Sequence, residues 1–303
     1  MLRFLLELVP CLLIGFWAGG QHPDLSARLA VPLVRFGVPI SVMGLLLKGG
    51  LSSEMLEAAA LAVLAIGCVL GVAPWLPGCR ELRRPSLRLG SCIGNTAYFG
   101  VPLALAFLPA EALPISIGYD LGATLFTWSI GPVFLGAQLA GHQALRGLVI
   151  SLSASPATRG LVGALLVQWT PWRDLVTDGL WWPSRFVILL ALVVVGMRLG
   201  SISRGGRPPS PWRFRLLPSL LAKLLGYPLL LLLMGLALRL DPLMIQALAL
   251  QGAAPTAISL LLIAESVGVD QDRAAAQVFW STVLALISAP MWGVALPLLV
   301  SSG

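Results

Sequence analysis

The sequence predicts an all-α polytopic membrane protein of ten transmembrane helices, arranged as two inverted repeats of five. Three observations carry this expectation. The 303-residue chain is 57% hydrophobic and only 11% charged, with a mean hydropathy of +0.90, whereas about a quarter of the residues in a soluble domain are charged. A membrane span needs about 20 mostly apolar residues, and ten such runs occur, near 2–20, 29–47, 55–76, 88–109, 113–139, 157–171, 183–200, 214–238, 243–267 and 274–300. The fourth and ninth runs are each interrupted at mid-span, at corresponding places in the two halves of the chain.

Taken in order, the first run ends at Gly19-Gly20-Gln21. No small-residue cleavage site precedes the next polar stretch and Glu7 interrupts the apolar core, so an uncleaved first helix is expected rather than a signal peptide. The second run carries Val38-Pro39-Ile40-Ser41 at its centre, and the third ends at Pro74-Trp75-Leu76-Pro77, where a basic loop begins. The fourth is broken by Gly94-Asn95-Thr96-Ala97-Tyr98-Phe99-Gly100-Val101-Pro102, and the fifth contains Gly118-Tyr119-Asp120. A cytoplasmic linker over 140–156, with a surface helix near 143–151, divides a first repeat (1–139) from a second (157–303). The sixth run is the shortest. The seventh ends in Val195-Gly196-Met197-Arg198-Leu199-Gly200, which repeats the end of the second, Val42-Met43-Gly44-Leu45-Leu46-Leu47-Lys48-Gly49. The ninth is broken by Leu250-Gln251-Gly252-Ala253-Ala254-Pro255-Thr256-Ala257-Ile258-Ser259. Because each half holds an odd number of spans, the two copies must run in opposite directions across the bilayer.

The formal charge of +7 reflects topology rather than a nucleic-acid partner, since no basic run is interleaved with aromatics. With the N-terminus outside, the loops that become cytoplasmic hold thirteen of the twenty basic residues, among them Arg80, Arg83, Arg84 and Arg88, and the opposite side holds five. Excess basic charge marks the cytoplasmic side, so both termini are expected on the non-cytoplasmic side of a bacterial inner membrane. Trp75, Trp172, Trp181 and Trp182 sit near span ends, as interfacial anchors do.

The two interruptions carry the chemistry. In hydrocarbon an unpaired backbone amide or carbonyl costs several kcal/mol, so a broken span survives only where protein or a water-filled cavity satisfies it. A lone break is ordinary proline kinking, but paired breaks in corresponding halves mark the binding site of a secondary transporter. The second half-helix of each break starts near the midplane, one from each direction. Helix N-termini carry free N–H groups and partial positive charge, and Pro102 suits a first helical turn. Two such ends favour an anion by about 0.3 to 2 kcal/mol each. Asn95, Thr96, Gln251, Thr256 and Ser259 add uncharged hydrogen-bond partners, with Gly100, Pro102 and Pro255 shaping the breaks. The expected ligand is a small carboxylate.

The run Gly94-Asn95-Thr96 through Gly100-Val101-Pro102-Leu103 is similar to the fourth-helix signature of the auxin efflux carrier family, which includes bacterial malate and malonate permease-like proteins and the plant PIN carriers. Ala254-Pro255-Thr256-Ala257-Ile258-Ser259, followed by Ala264-Glu265-Ser266-Val267-Gly268, resembles its ninth-helix signature, and Ser281-Thr282 with Pro290 fits its tenth helix. The resemblance covers the whole chain. It implies that helices four and nine cross at their broken midpoints, that a transport half moves against a scaffold half, and that an organic anion binds at the crossover. By position Asn95 would bind the carboxylate, with Pro102 and Pro255 holding the breaks open. The sequence departs from the family in having Ser259 where bacterial members often have Asn, and in lacking the long loop of plant members.

Further polar residues lie within spans. Asp120 in the fifth costs about 2.5 to 3.5 kcal/mol on insertion scales, which marks either a coupling residue or a structural partner in the bundle. Lys223 could neutralise a bound anion or replace a coupling cation, but the favoured reading is that it snorkels to the cytoplasmic interface, as Arg35 would. Enzymatic readings fail on their residues: Tyr119-Asp120 lacks the second aspartate of an intramembrane aspartyl protease, His22 and His142 lie in loops, and HExxH and GxxxxGK[ST] are absent. Cys11, Cys68, Cys79 and Cys92 have no metal or disulfide spacing. No charge ring or filter repeat suggests a channel. The expectation is a carrier without cofactor, driven by H⁺, by Na⁺ or by its substrate's own gradient, with the lipid bilayer and a small organic anion as partners and a homodimer left open. The runner-up is the sodium-coupled bile-acid transporter group, which is similar in its crossed broken helices.

Overall fold

The computed structural model describes residues 2–50, 52–76, 80–136, 156–203, 210–212 and 214–300. The expected linker and its surface helix lie almost wholly outside these residues. Among the described residues the chain is helical apart from turns and short extended stretches, and each of the ten apolar runs contributes at least one helix. Among the described residues four helices are long and apolar enough to cross a membrane: Ser53–Trp75, Arg173–Ser201, Leu217–Ala237 and Gln271–Val300.

We label the helices α1 (Leu2–Gln21), α2 (Pro23–Pro32), α3 (Val38–Gly49), α4 (Ser53–Val72), α5 (Pro85–Gly90), α6 (Val101–Phe107), α7 (Ala112–Phe134), α8 (Pro156–Gln168), α9 (Arg173–Ser203), α10 (Leu217–Leu221), α11 (Tyr227–Ala237), α12 (Pro242–Gly252), α13 (Ser259–Val267) and α14 (Gln271–Val300). Local chemistry sets several ends. The Ser52 side chain accepts from the Met55 amide at the start of α4, and Asp241 accepts from Leu243 ahead of Pro242 in α12, each satisfying a donor that the helix leaves free. Gly268 ends α13 in the left-handed conformation, at φ 77°. The helix α9 begins ten residues before the expected seventh span, because Pro183 is absorbed within it.

Helix interruption extends to the second and eighth runs. Wide π-turns at Leu33–Gly37, Thr96–Gly100 and Ala222–Gly226 precede Pro39, Pro102 and Pro228, and each closes with an i+5 amide bonding back, from Val38 to Leu33, Val101 to Thr96 and Tyr227 to Ala222. The shared cause is a Gly-x-Pro triplet. Proline has no amide and its ring displaces the carbonyl four residues earlier, and the wide turn absorbs that clash. Four residues before Pro228, the displaced Leu224 carbonyl accepts instead from the Trp292 indole, at 2.9 Å.

Packing divides the helices into two groups. In one, α1 lies along α9, and α3 packs on both α8 and α9. Gly15 and Gly19 face Gly196 and Gly200 so closely that a Cβ on Gly15 would sit 2.1 Å from the Val193 carbonyl oxygen, and one on Gly200 2.1 Å from that of Phe16. Small residues four apart allow such approach where apolar lipid supplies no other drive to associate. In the other group α4 lies along α7 through Gly118 and Gly122, while α12 packs against α7, α11 and α14. The largest buried cluster belongs mainly to this second group, which also contains both interrupted helices.

Candidate crossover site

Helix α5 stops at Gly90, and the chain then runs extended through Ile93, Gly94 and Asn95 before the π-turn into α6. Helix α12 stops at Gly252 and runs through Pro255 and Thr256 before α13. These two extended stretches meet. Gly94 and Thr256 form an antiparallel bridge, the Asn95 amide donates to the Pro255 carbonyl at 2.7 Å, and the Ala257 amide donates to the Ile93 carbonyl at 3.3 Å. Each break thus satisfies backbone groups that the other exposes, which a buried, non-helical stretch at membrane depth requires.

Side chains complete the crossing. The Thr256 hydroxyl donates to the Gly90 carbonyl at the end of α5 (2.8 Å), and its amide donates to the Ser281 hydroxyl of α14 (3.1 Å). From α14, the Gln277 amide reaches the Thr256 hydroxyl at 3.4 Å and accepts in turn from Ser219 of α10 at 2.6 Å. The Lys223 amine donates to the Gly252 carbonyl at the end of α12, at 2.7 Å, and lies 4.8 Å from the centre of the Tyr227 ring. Cations suit helix C-termini, where free carbonyls gather partial negative charge. On the opposite side of the Gly94–Thr96 stretch, the Thr96 hydroxyl donates to Asp120 at 2.5 Å, and the Ala97 amide and Thr124 hydroxyl also reach that carboxylate. The donors at the start of the Thr96–Gly100 turn therefore already face a carboxyl group of the protein itself, that of Asp120.

The structure brings together most residues singled out in the sequence. Thr96, Gln251, Pro255 and Thr256 are buried at the crossing, and Asn95 is half-buried with no capping bond from its side chain. Gly100 faces Gln251: a Cβ there would stand 2.1 Å from the Gln251 Oε1. The Gln251 amide is fully buried, and neither of its polar atoms has a hydrogen-bond partner. Pro102 opens α6 and Ser259 opens α13, both half-buried. Asp120 is 7% exposed and bound to the crossing through Thr96.

One expectation is corrected. Lys223 does not snorkel: it is 0% exposed, and it sits beside Gly94, where an added Cβ would approach its Nζ to 3.5 Å. The reason is the π-turn at Ala222–Gly226, together with the carbonyl of Gly252, which gives the amine a partner inside the bundle. Arg35, by contrast, is exposed. Among the described residues no carboxylate lies within ion-pair distance of Lys223.

Sequence reading missed four participants. Tyr119 of α7 donates to Tyr227 of α11 at 2.8 Å, bracing these two helices beside Lys223. Gln277 and Ser219 extend the polar contacts into α14 and α10. An available signal was the spacing of Gln277 and Ser281, four apart and therefore on one helix face.

A family model described as membrane transport protein matches residues 142–293. The chain is 24% identical over 224 residues to an uncharacterized transporter of Methanothermobacter thermautotrophicus, covering 69% of this chain and 67% of the relative. It is 21% identical over 277 residues to an uncharacterized transporter of Methanocaldococcus jannaschii, covering 86% of each.

Proposed function

The chain belongs to the membrane transport protein family, and from that premise we propose that it is a secondary carrier of small organic acid anions working by alternating access at the crossover. It is an integral membrane transport protein and not an enzyme. The observation that carries the finer reading is the backbone pairing of the two interruptions beside the buried amine of Lys223. A carboxylate would bind at Asn95, whose side chain borders the pairing, with Thr96, Gly100, Pro102, Gln251, Pro255, Thr256 and Ser259 around it. Lys223 supplies a buried amine with no carboxylate among the described residues in ion-pair range. Asp120, held by Thr96 on the other side, is the second candidate for coupling to H⁺ or Na⁺.

The packing supports a division of labour between two inverted five-span repeats. Under a repeat exchange of the first span for the sixth and the second for the seventh, the α1–α9 contact maps onto the α8–α3 contact, and both occur. The group of α1, α3, α8 and α9 would serve as scaffold, and the group holding both breaks would move against it. By the distribution of arginines both termini would lie on the non-cytoplasmic side.

Counterflow of labelled mono- and dicarboxylates in proteoliposomes tests this reading. Saturable flux is expected from the natural protein and little from Asn95→Ala that elutes as the same folded species. Undiminished flux in that variant would move the site away from the crossing, and no flux of any carboxylate would exclude the substrate class.

A further inference from the structure

Between α4 and α10 lies a groove of about 580 Å³ that the crossover does not use. Cys68, Val72 and Leu76 form one wall, Leu217 and Leu221 the other, with Leu82 and Tyr227 at the base. Its rims are open: Val72, Leu76, Leu217 and Leu221 are each about half exposed. The volume falls in the range of about 300 to 1,000 Å³ that small-molecule sites occupy, yet almost all of its lining is hydrocarbon. A carboxylate entering it would find few donors. In a membrane protein such a groove, open through lipid-facing side chains, is filled by an acyl chain.

One end of the groove is basic. Leu82 lies in the turn Arg80–Arg83, and Arg80, Arg83 and Arg84 are all exposed there. From the opposite wall Arg215 reaches Glu81 at 3.1 Å and ties the two sides together. Arg83 is anchored by its Nε to the Pro74 carbonyl, at 3.3 Å, a bond that does not use its two terminal nitrogens. Four arginines therefore face one glutamate at this end, beside Trp75, which is 83% exposed as an interfacial residue is. Basic clusters at the cytoplasmic surface attract anionic headgroups, and guanidinium groups match phosphate geometry. We propose that this groove is a binding site for an anionic phospholipid, its phosphate on Arg80, Arg83 and Arg84 and one acyl chain running between α4 and α10 to Tyr227. Cys68 stands eight residues from Leu76, about 12 Å deeper along the helix at 1.5 Å per residue, so the middle of the chain would pass it.

The occupant bears on transport through Tyr227, which forms the base of the groove and also lies against Lys223 and Tyr119. The test uses the full chain in nanodiscs containing phospholipids with a mid-chain diazirine, on either a phosphatidylglycerol or a phosphatidylcholine headgroup. After illumination, adducts are mapped by mass spectrometry. The expected result is adducts concentrated on the peptides around Cys68–Val72 and Leu217–Leu221, several-fold more from phosphatidylglycerol. That preference should fall several-fold in Arg80→Gln/Arg84→Gln, exposed substitutions that keep the Arg83–Pro74 bond, and vanish in 0.5 M salt, which screens surface charge. Equal yields from the two headgroups would overturn the anionic assignment. Adducts spread as densely over Ile287 and Val294, exposed on α14, none of whose residues lines the groove, would overturn the site.

Discussion

Gly100 lies close against the Gln251 amide where the two interrupted spans meet, and replacing Gly100 by Ala measures that approach. The new Cβ would stand 2.1 Å from Oε1, 3.0 Å from Cδ and 3.4 Å from Nε2 of Gln251. Ordinary carbon contacts begin near 3.4 Å, so the amide must retreat by about 1.3 Å. The amide is fully buried, so that retreat must be taken up by rotation of its side chain within the bundle. Overpacking of this kind costs about 1 to 3 kcal/mol. Gln251→Ala alone should be close to neutral, because the packing it loses is offset by removing an amide whose two polar atoms are buried without partners, a burden of about 1 to 3 kcal/mol. In the double variant the methyl introduced in place of the Gly100 hydrogen would occupy the space the amide vacates, giving a favourable coupling of at least about 1 kcal/mol, within the range for residues in contact. Equilibrium unfolding by SDS titration in mixed micelles, run on all four proteins, gives the cycle directly. Strict additivity, or a Gly100→Ala protein as stable as its parent, would refute the contact and with it the close approach of the two breaks.

Other variants probe the remaining features. Lys223→Met keeps side-chain volume and removes a fully buried amine held by one carbonyl; stability should hold within about 1.5 kcal/mol while counterflow falls at least tenfold, and loss of the fold with no selective effect on flux would make Lys223 structural. Trp292→Phe leaves the Leu224 carbonyl without its indole partner and should cost about 1 to 3 kcal/mol in the same titration. In Gly200→Ala the new methyl meets the Phe16 carbonyl and should destabilise by about 1 to 3 kcal/mol. Gly67→Ala and Gly71→Ala in α4, where nothing lies within 4 Å, should instead stabilise by about 0.5 to 1 kcal/mol through helix propensity.

Much of this protein was legible because the bilayer reduces the problem to one dimension. A chain that must satisfy every backbone group in hydrocarbon has little choice but the helix, so apolar run length located the helices and the family signatures around Asn95 and Pro255 identified a transporter. The breaks at 94–102 and 250–259 were visible for the same reason, since glycine, proline and amides stand out against leucine. Hydropathy could not reveal which partners those residues take, because pairing joins positions more than 150 residues apart. Whether Asn95 met Pro255, whether Asp120 was held by Thr96 or lay shallow, and whether Lys223 turned toward water or toward Gly252 depended on how α5, α7, α10 and α12 came together. The two orientations of Lys223 have the same sequence signature, a basic residue about two turns into a span. A wide turn ahead of Pro228 and one unpaired carbonyl at the end of α12 made the interior the lower-energy place for it, and both are products of the tertiary structure alone.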